Sequence, residues 1–361
     1  MDGVTEVNIT EMFKKAADEE VSDIFITSGT PIMFKKDGVI KQAYDSRIMP
    51  DSAVRILKEL FSMSNGQSFE DYEKSGDCDF SLSLKGLGRF RVSAFKQRNS
   101  MAAVIRVVKL NLPDYKSLGI PEAVIELYKK PRGLTLVTGP AGSGKSTTLA
   151  SIINLINEHR NCHVITLEDP IEYLHNHKKG IVNQREMGTD TLDYSKVLRS
   201  VLRQSPDVML VGEMRDLNTI SVALTAAETG TYILSSLHTL GAANSIGRII
   251  DVFPPTQQHQ VRLQLSTVLQ AIISQQLLPS PTKGRVAVFE IMIVNSAIRN
   301  MIREDKSHQI DTAIHSGAAQ GMQLMDYSIA QAFRNGDITH DTAFTYCVNQ
   351  DTLRKYTDAA E

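Results

Sequence analysis

The sequence predicts an α/β protein of two domains: an α+β module over residues 1–110, a linker at 111–121, and a nucleotide-binding domain with a helical C-terminal portion over 122–361. Three observations lead there. Residues 139–146 read GPAGSGKS, a complete G-x-x-x-x-G-K-[ST] loop between a strand-like run, Leu134–Thr138, and a helix-like one, Thr147–Asn157. From about residue 122, apolar strand-like runs alternate with helical ones, as in a mostly parallel sheet covered on both faces. Before residue 110 the β-like runs are short and alternating, and a helix pattern precedes them.

In chain order, the first module opens with an amphipathic helix at Ile9–Glu20. Strand-like runs follow at Asp23–Thr27, Ile32–Lys36 and Val39–Gln42, the last two joined through Asp37-Gly38, a hairpin signal. A helix at Ser52–Phe61 precedes further strand-like runs at Asp79–Leu84, Gly88–Gln97 and Ala102–Val108. The stretch from Lys109 to Pro121 carries two prolines and no periodicity, which suits a linker. Beyond it, strands are expected at Leu134–Thr138, His163–Leu167, Val208–Val211 and Tyr232–Leu237. After Pro255 the text is largely helical, with helices expected at Gln257–Leu278, Ser296–Glu304, Lys306–Ser316 and Leu324–Asn335 and a short strand at Val286–Ile293.

Composition narrows the function. With 361 residues the chain can bury ample core without staples. A net charge of −2 and the absence of tryptophan argue against a basic, aromatic channel for nucleic acid. Three scattered cysteines, Cys78, Cys162 and Cys347, offer neither a disulfide framework nor a zinc site. No basic-then-apolar leader and no run long enough to span a bilayer is found, so a cytosolic protein without direct membrane insertion is expected.

The loop carries the strongest chemistry. Its backbone N–H groups and the dipole of the following helix suit phosphate, and glycine at 139, 142 and 144 permits close approach. Gly139, Pro140, Ala141, Gly142, Ser143, Gly144, Lys145, Ser146 and Thr147 are therefore the candidate nucleotide contacts. Lys145 is expected on the β- and γ-phosphates of ATP and Ser146 on Mg²⁺. The strand Val208–Val211 ends in Gly212-Glu213, where many phosphate-loop ATPases place Asp-Glu. With glycine at the Asp position, the metal is left to Ser146, phosphate oxygens, water and Glu213, directly or through water. A second acidic cluster, Glu168-Asp169-Pro170-Ile171-Glu172, follows another strand, and which of Glu172 and Glu213 is the general base stays open. His238 follows Tyr232–Leu237, a strand-end position from which an imidazole can donate to a γ-phosphate. Arg89 and Arg91 share one strand face; with Arg98 and Arg106 they are read either as a solvated basic face or as a source of arginine fingers.

Together these elements resemble the secretion-type hexameric ATPases, and among them the type IV pilus retraction ATPase family. The resemblance rests on the phosphate loop, the acidic box Ile165–Glu172, the segment Asp207–Glu213 running into Met214-Arg215-Asp216, and the histidine box Leu237–Asn244 with Arg248–Pro254. Ala297–Glu304 looks like the family's retraction motif, with Met301 where leucine is usual. Ser22–Ile26 and Gly88–Val92 look like its N-terminal domain. The resemblance implies a PAS-like domain followed by a RecA-like ATPase domain, and a ring of six copies with nucleotide held between the domains. It assigns Glu172 and Glu213 as catalytic carboxylates, His238 as γ-phosphate sensor, and Arg91 and Arg106 as arginine fingers. Two departures stand out: Gly247 replaces an acidic residue and Thr231 a histidine. The implied function is an ATP-driven motor for pilus retraction, acting at the cytoplasmic membrane face on a platform protein of the pilus machine. A pilus-extension or type II secretion ATPase is the runner-up; those relatives usually carry a tetracysteine module that this chain lacks. As a helix, Ala297–Glu304 puts residues 298, 301 and 302 on an apolar face and leaves Arg299 and Arg303 for a surface or subunit contact.

Overall fold

Burial alternates residue by residue in the N-terminal strands Pro31–Lys36 and Gly88–Gln97. In the strand Gly88–Gln97, Phe90, Val92 and Ala94 are buried while Arg89, Arg91 and Ser93 take the opposite face. This strand is β5 of a six-stranded sheet whose members are β1 (Asp23–Thr27), β2 (Pro31–Lys36), β3 (Val39–Arg47), β4 (Asp77–Leu84), β5 and β6 (Ser100–Val108). The order is β3-β2-β1-β6-β5-β4 and every pairing is antiparallel. Helices Ile9–Asp18, Pro50–Ser62 and Phe69–Ser75 supply the rest of its core, including a Phe13–Phe90 ring contact at 4.2 Å. The computed structural model describes residues 8–36, 38–64, 66–108, 112–191 and 193–358. Asp37 of the expected hairpin and residues 109–111 of the expected linker therefore lie outside the described residues.

Unlike Arg89, Arg91 and Arg106, and contrary to the sequence expectation, Arg98 does not lie on a strand. Arg98 and Asn99 form the two-residue turn between β5 and β6, with φ of +46° and +58°. Both residues at positive φ is the turn geometry whose twist matches the flanking strands.

The second sheet has seven strands: β7 (Gly133–Thr138), β8 (His163–Glu168), β9 (Ile181–Glu186), β10 (Val208–Val211), β11 (Tyr232–Leu237), β12 (Leu269–Ser280) and β13 (Gly284–Ile293). Its order is β13-β12-β7-β11-β10-β8-β9, parallel throughout except for β13. β7, β10 and β11 are buried at every position, as strands covered on both faces must be. The expected α/β class is borne out by these two sheets. The chain divides into two compact units: Met1–Asn111 with Ile171–Leu174 and Gly188–Leu192, and Leu112–Pro170 with His175–Met187 and Asp193–Glu361.

One expected helix fails. Gln257–Leu278 is not helical throughout: a helix runs from Pro255 to Val268, and β12 begins at Leu269. Val261, Leu265, Val268, Leu269 and Ile272 keep helical spacing across the junction, and no glycine or proline marks it. β12 is buried on both faces, so it shows no period-two alternation to betray it.

The helix Ser296–Arg303 buries Ile298 and Ile302, with Met301 packed against the same core, as the spacing requires. Its two arginines divide their roles. Arg299 donates through Nη1 to the Ser266 and Thr267 carbonyl oxygens, both at 2.7 Å, at the C-terminal end of the helix Pro255–Val268. A cation there satisfies carbonyls that have no partner within the helix and meets the negative dipole end. Arg303 is exposed. Arg299→Ala is expected to cost about 1–2 kcal/mol of stability, read in urea or thermal melts, whereas Arg303→Ala leaves the midpoint unchanged. Equal midpoints for the two variants would remove the capping role.

Candidate nucleotide site

The order of the second sheet brings three loops side by side. β7, β11 and β10 are neighbours, and from their C-terminal ends emerge the phosphate loop, His238 and Gly212-Glu213. An open parallel sheet binds its ligand at such strand ends. Lys145 opens the helix Lys145–His159 and is almost completely buried. Its Nζ donates to the Gly139 and Pro140 carbonyl oxygens, each at 2.9 Å, and lies 3.4 Å from His238 Nδ1. His238 Nε2 lies 3.4 Å from Glu213 Oε1, and Arg215 Nε donates to Glu213 Oε2 at 2.6 Å. The tautomer with the proton on Nε2 serves both histidine contacts, accepting from the lysine and donating to the carboxylate. Lys145, His238, Glu213 and Arg215 thus form one polar chain across three strand ends.

The loop's glycines answer different demands. At Gly139 (φ +139°) a Cβ would come within 2.2 Å of the Gln275 carbonyl oxygen, and at Gly144 (φ +90°) within 2.8 Å of the Gln275 amide nitrogen. At Gly142 (φ +76°) nothing lies within 4 Å, so the left-handed backbone alone requires glycine there. Gly212 has a comparable reason: a Cβ would sit 3.0 Å from the Leu167 carbonyl, which disfavours the aspartate many ATPases carry at this place.

The loop fits a phosphate chain. Thr138 Oγ1 and Ser143 Oγ are buried without a hydrogen-bond partner, a condition folded proteins normally avoid and which an incoming ligand relieves. Ser146 is exposed on the first helical turn, where its hydroxyl suits a hard cation, and Glu213 is the carboxylate of the polar chain. In the acidic box, Glu168 is engaged structurally, accepting from Thr166 Oγ1 at 2.6 Å and Gln184 Nε2 at 3.2 Å. Glu172 is exposed in the segment Ile171–Leu174, which belongs with the first unit.

Arg91 and Arg106 also lie in the first unit, directly opposite each other on β5 and β6. Each has a carboxylate: Arg106 Nε is 3.2 Å from Asp23, its neighbour on β1, and Arg91 is 3.9 Å from Asp79. The Arg91 pair is partly solvent-exposed, and such pairs contribute about 0–1 kcal/mol, so that guanidinium can be redirected at little cost.

The model of the Type II/IV secretion system protein family matches residues 2–341. The chain belongs to that family. The chain is similar to "Type IV pilus retractation ATPase PilT" of Pseudomonas aeruginosa, at 43% identity over 337 residues, covering 93% of this chain and 97% of that protein. "Twitching motility protein" of Neisseria gonorrhoeae is 45% identical over 303 residues, 84% of this chain and 81% of its own. A crystal structure of the pilus retraction motor PilT with bound ADP superposes with a TM-score of 0.89 at 44% identity, covering 97% of this chain and all of the other. Three further site residues lie on the hairpin of β12 and β13, where runs buried on both faces show no alternation.

Those residues are Ser274 and Gln275 on β12, with Glu290 opposite Ser274 on β13. Ser274 Oγ accepts from the Gly241 N–H at 2.9 Å, and Glu290 Oε1 accepts from the Ala242 N–H at 2.7 Å. Consecutive amides of the histidine box are therefore tied to a cross-strand pair. A lone Glu within an apolar run was the only available signal for Glu290.

Lys145→Ala is expected to remove most ATP binding, and Glu213→Gln to keep ATP binding while losing turnover by on the order of a hundredfold or more; normal turnover in Glu213→Gln would take that carboxylate out of the chemistry. A second expectation concerns pH. Burial pushes Glu290 up from 4.5 to about 7, against the stabilising N–H groups of Ala242 and Met325 and with Asp311 and Asp326 adding to the rise. The folded state then holds a proton that the unfolded chain releases near 4.5, so stability falls as pH rises from 4.5 to about 7 and levels off above. Glu290→Gln flattens that slope in thermal melts taken across the window; an unchanged slope would place the titration elsewhere.

Proposed function

We propose that this chain is an ATP-hydrolysing subunit of a hexameric motor that powers type IV pilus retraction. The observation that carries the reading is the likeness, along nearly the full length of both chains, to a pilus retraction motor with bound ADP. The polar chain at the strand ends is what hydrolysis needs. The loop N–H groups and Lys145 hold the phosphates, His238 meets the γ-phosphate, and a carboxylate, Glu213 or Glu172, accepts the proton of the attacking water. Mg²⁺, held by Ser146 and by Glu213 directly or through water, would neutralise charge between the β- and γ-phosphates.

Arg91 and Arg106 stabilise the transferring phosphoryl group of a neighbouring subunit in this reading. The PAS-like assignment of the first unit and the ring itself belong to the same proposal. No helix among the described residues is long and apolar enough to cross a membrane. Force therefore reaches the pilus through a separate platform protein in the inner membrane, at whose cytoplasmic face the ring works. A nucleic-acid translocase is disfavoured by the charge balance, and pilus extension by the helix Ser296–Arg303 with its exposed Arg303.

Trans action has a direct check. Arg91→Ala and Arg106→Ala are each expected to lower turnover by on the order of a hundredfold or more with the fold intact. Mixing either with Lys145→Ala subunits regains activity, since a mixed interface joins an intact loop to an intact arginine. Full activity in isolated monomers, together with no recovery on mixing, would show that the arginines do not act across subunits.

A further inference from the structure

β12 sits beside β7 with Ser274 paired to Thr138, which places Gln275 level with the start of the phosphate loop. Gln275 is buried and touches the loop in three ways. Its carbonyl oxygen lies against Gly139, its amide nitrogen lies against Gly144, and its Oε1 accepts from Thr148 Oγ1 at 2.7 Å. Gly144 is the residue before the helix Lys145–His159, and the Thr148 N–H donates to the Gly144 carbonyl at 3.0 Å. One residue therefore braces the first glycine of the loop with its backbone carbonyl, and the last glycine and the first turn of the helix that carries Lys145 and Ser146 with its side chain.

We propose that Gln275 is a positioning residue for nucleotide binding, its side chain setting the end of the phosphate loop through Gly144 and Thr148, beside the backbone contact at Gly139, without itself touching ATP. The inference rests on Gly139–Ser146 being the nucleotide site. The Thr148 bond fixes the amide's orientation, and that orientation lays its nitrogen along Gly144. Removing the bond frees the amide to turn and the helix start to shift, and Lys145 shifts with it. A misplacement of about 1 Å by a residue remote from the chemistry costs on the order of a hundredfold, so a smaller relaxation is expected to cost about tenfold.

The test measures the dissociation constants of a fluorescent ATP analogue, and kcat and KM for Mg-ATP, on the full chain. The variants are Gln275→Met, Thr148→Val, Thr148→Ser and Gln275→Met with Thr148→Val, each checked for folding by circular dichroism. Gln275→Met and Thr148→Val are expected to weaken ATP binding about tenfold each, the double variant no further than either single, and Thr148→Ser to restore affinity because its hydroxyl remains. Should Gln275→Met not fold, Thr148→Val against Thr148→Ser carries the comparison alone. Wild-type affinity in folded Thr148→Val, or equal losses in Thr148→Val and Thr148→Ser, overturns the proposal. Lys145→Ala separates the two levels: if it too binds ATP normally, the nucleotide site lies elsewhere and both readings fall. If Lys145→Ala loses ATP while Thr148→Val keeps it, only the role of Gln275 is lost.

Discussion

The buried ammonium of Lys145 is the constraint on which the second unit depends. A charge held away from water needs polar partners close by, and the Gly139 and Pro140 carbonyls supply two of them at 2.9 Å. Those carbonyls turn toward the lysine because the loop curls back over the helix N-terminus. The curl requires glycine at 139 and 144, where the backbone runs against Gln275. Gln275 is in place because β12 lies parallel to β7, and β12 is itself held by ten residues of cross-strand register with β13. A local motif of eight residues is thus set by a hairpin more than a hundred positions downstream.

The same hairpin governs the electrostatics of the strand ends. Ser274 and Glu290 hold the two N–H groups that start the helix Ala242–Asp251, so the loop carrying His238 is fixed relative to the loop carrying Lys145. Between them the histidine can sit with a cation on one ring nitrogen and a carboxylate on the other. Arg215 on the far oxygen of Glu213 balances that carboxylate, and Glu213 in turn favours the charged form of the guanidinium. Opposite charges held next to one another at these strand ends stabilise one another.

Much of this was legible in the sequence because it lies where local pattern and tertiary role agree. The phosphate loop is announced by glycine spacing, and the strands that end in Glu213 and His238 are short apolar runs next to polar punctuation. The alternation in β5 placed Arg89 and Arg91 on one face. What escaped was of another kind. β12 was hidden because a strand buried on both faces loses its alternation, and its preceding helix ends without a breaker. The turn at Arg98 escapes because two residues between long strands interrupt the pattern by only one period. Gln275 and Glu290 act through contacts that are distant in sequence, and a polar residue inside an apolar run carries no sign of its partner. Arg299 looked like a surface charge because nothing local says that a helix ends beneath it.

Two of the loop's glycines, Gly139 and Gly144, face the protein's own sheet as much as any phosphate. They would be needed to close β7, β12 and the helix Lys145–His159 together even in a chain that had ceased to bind nucleotide. An intact glycine pattern is therefore evidence of an intact scaffold, and a copy of this fold that had lost its catalytic power could keep it unchanged. Activity has to be judged at positions the scaffold does not need: the exposed hydroxyl of Ser146, the imidazole of His238 and the carboxylate of Glu213.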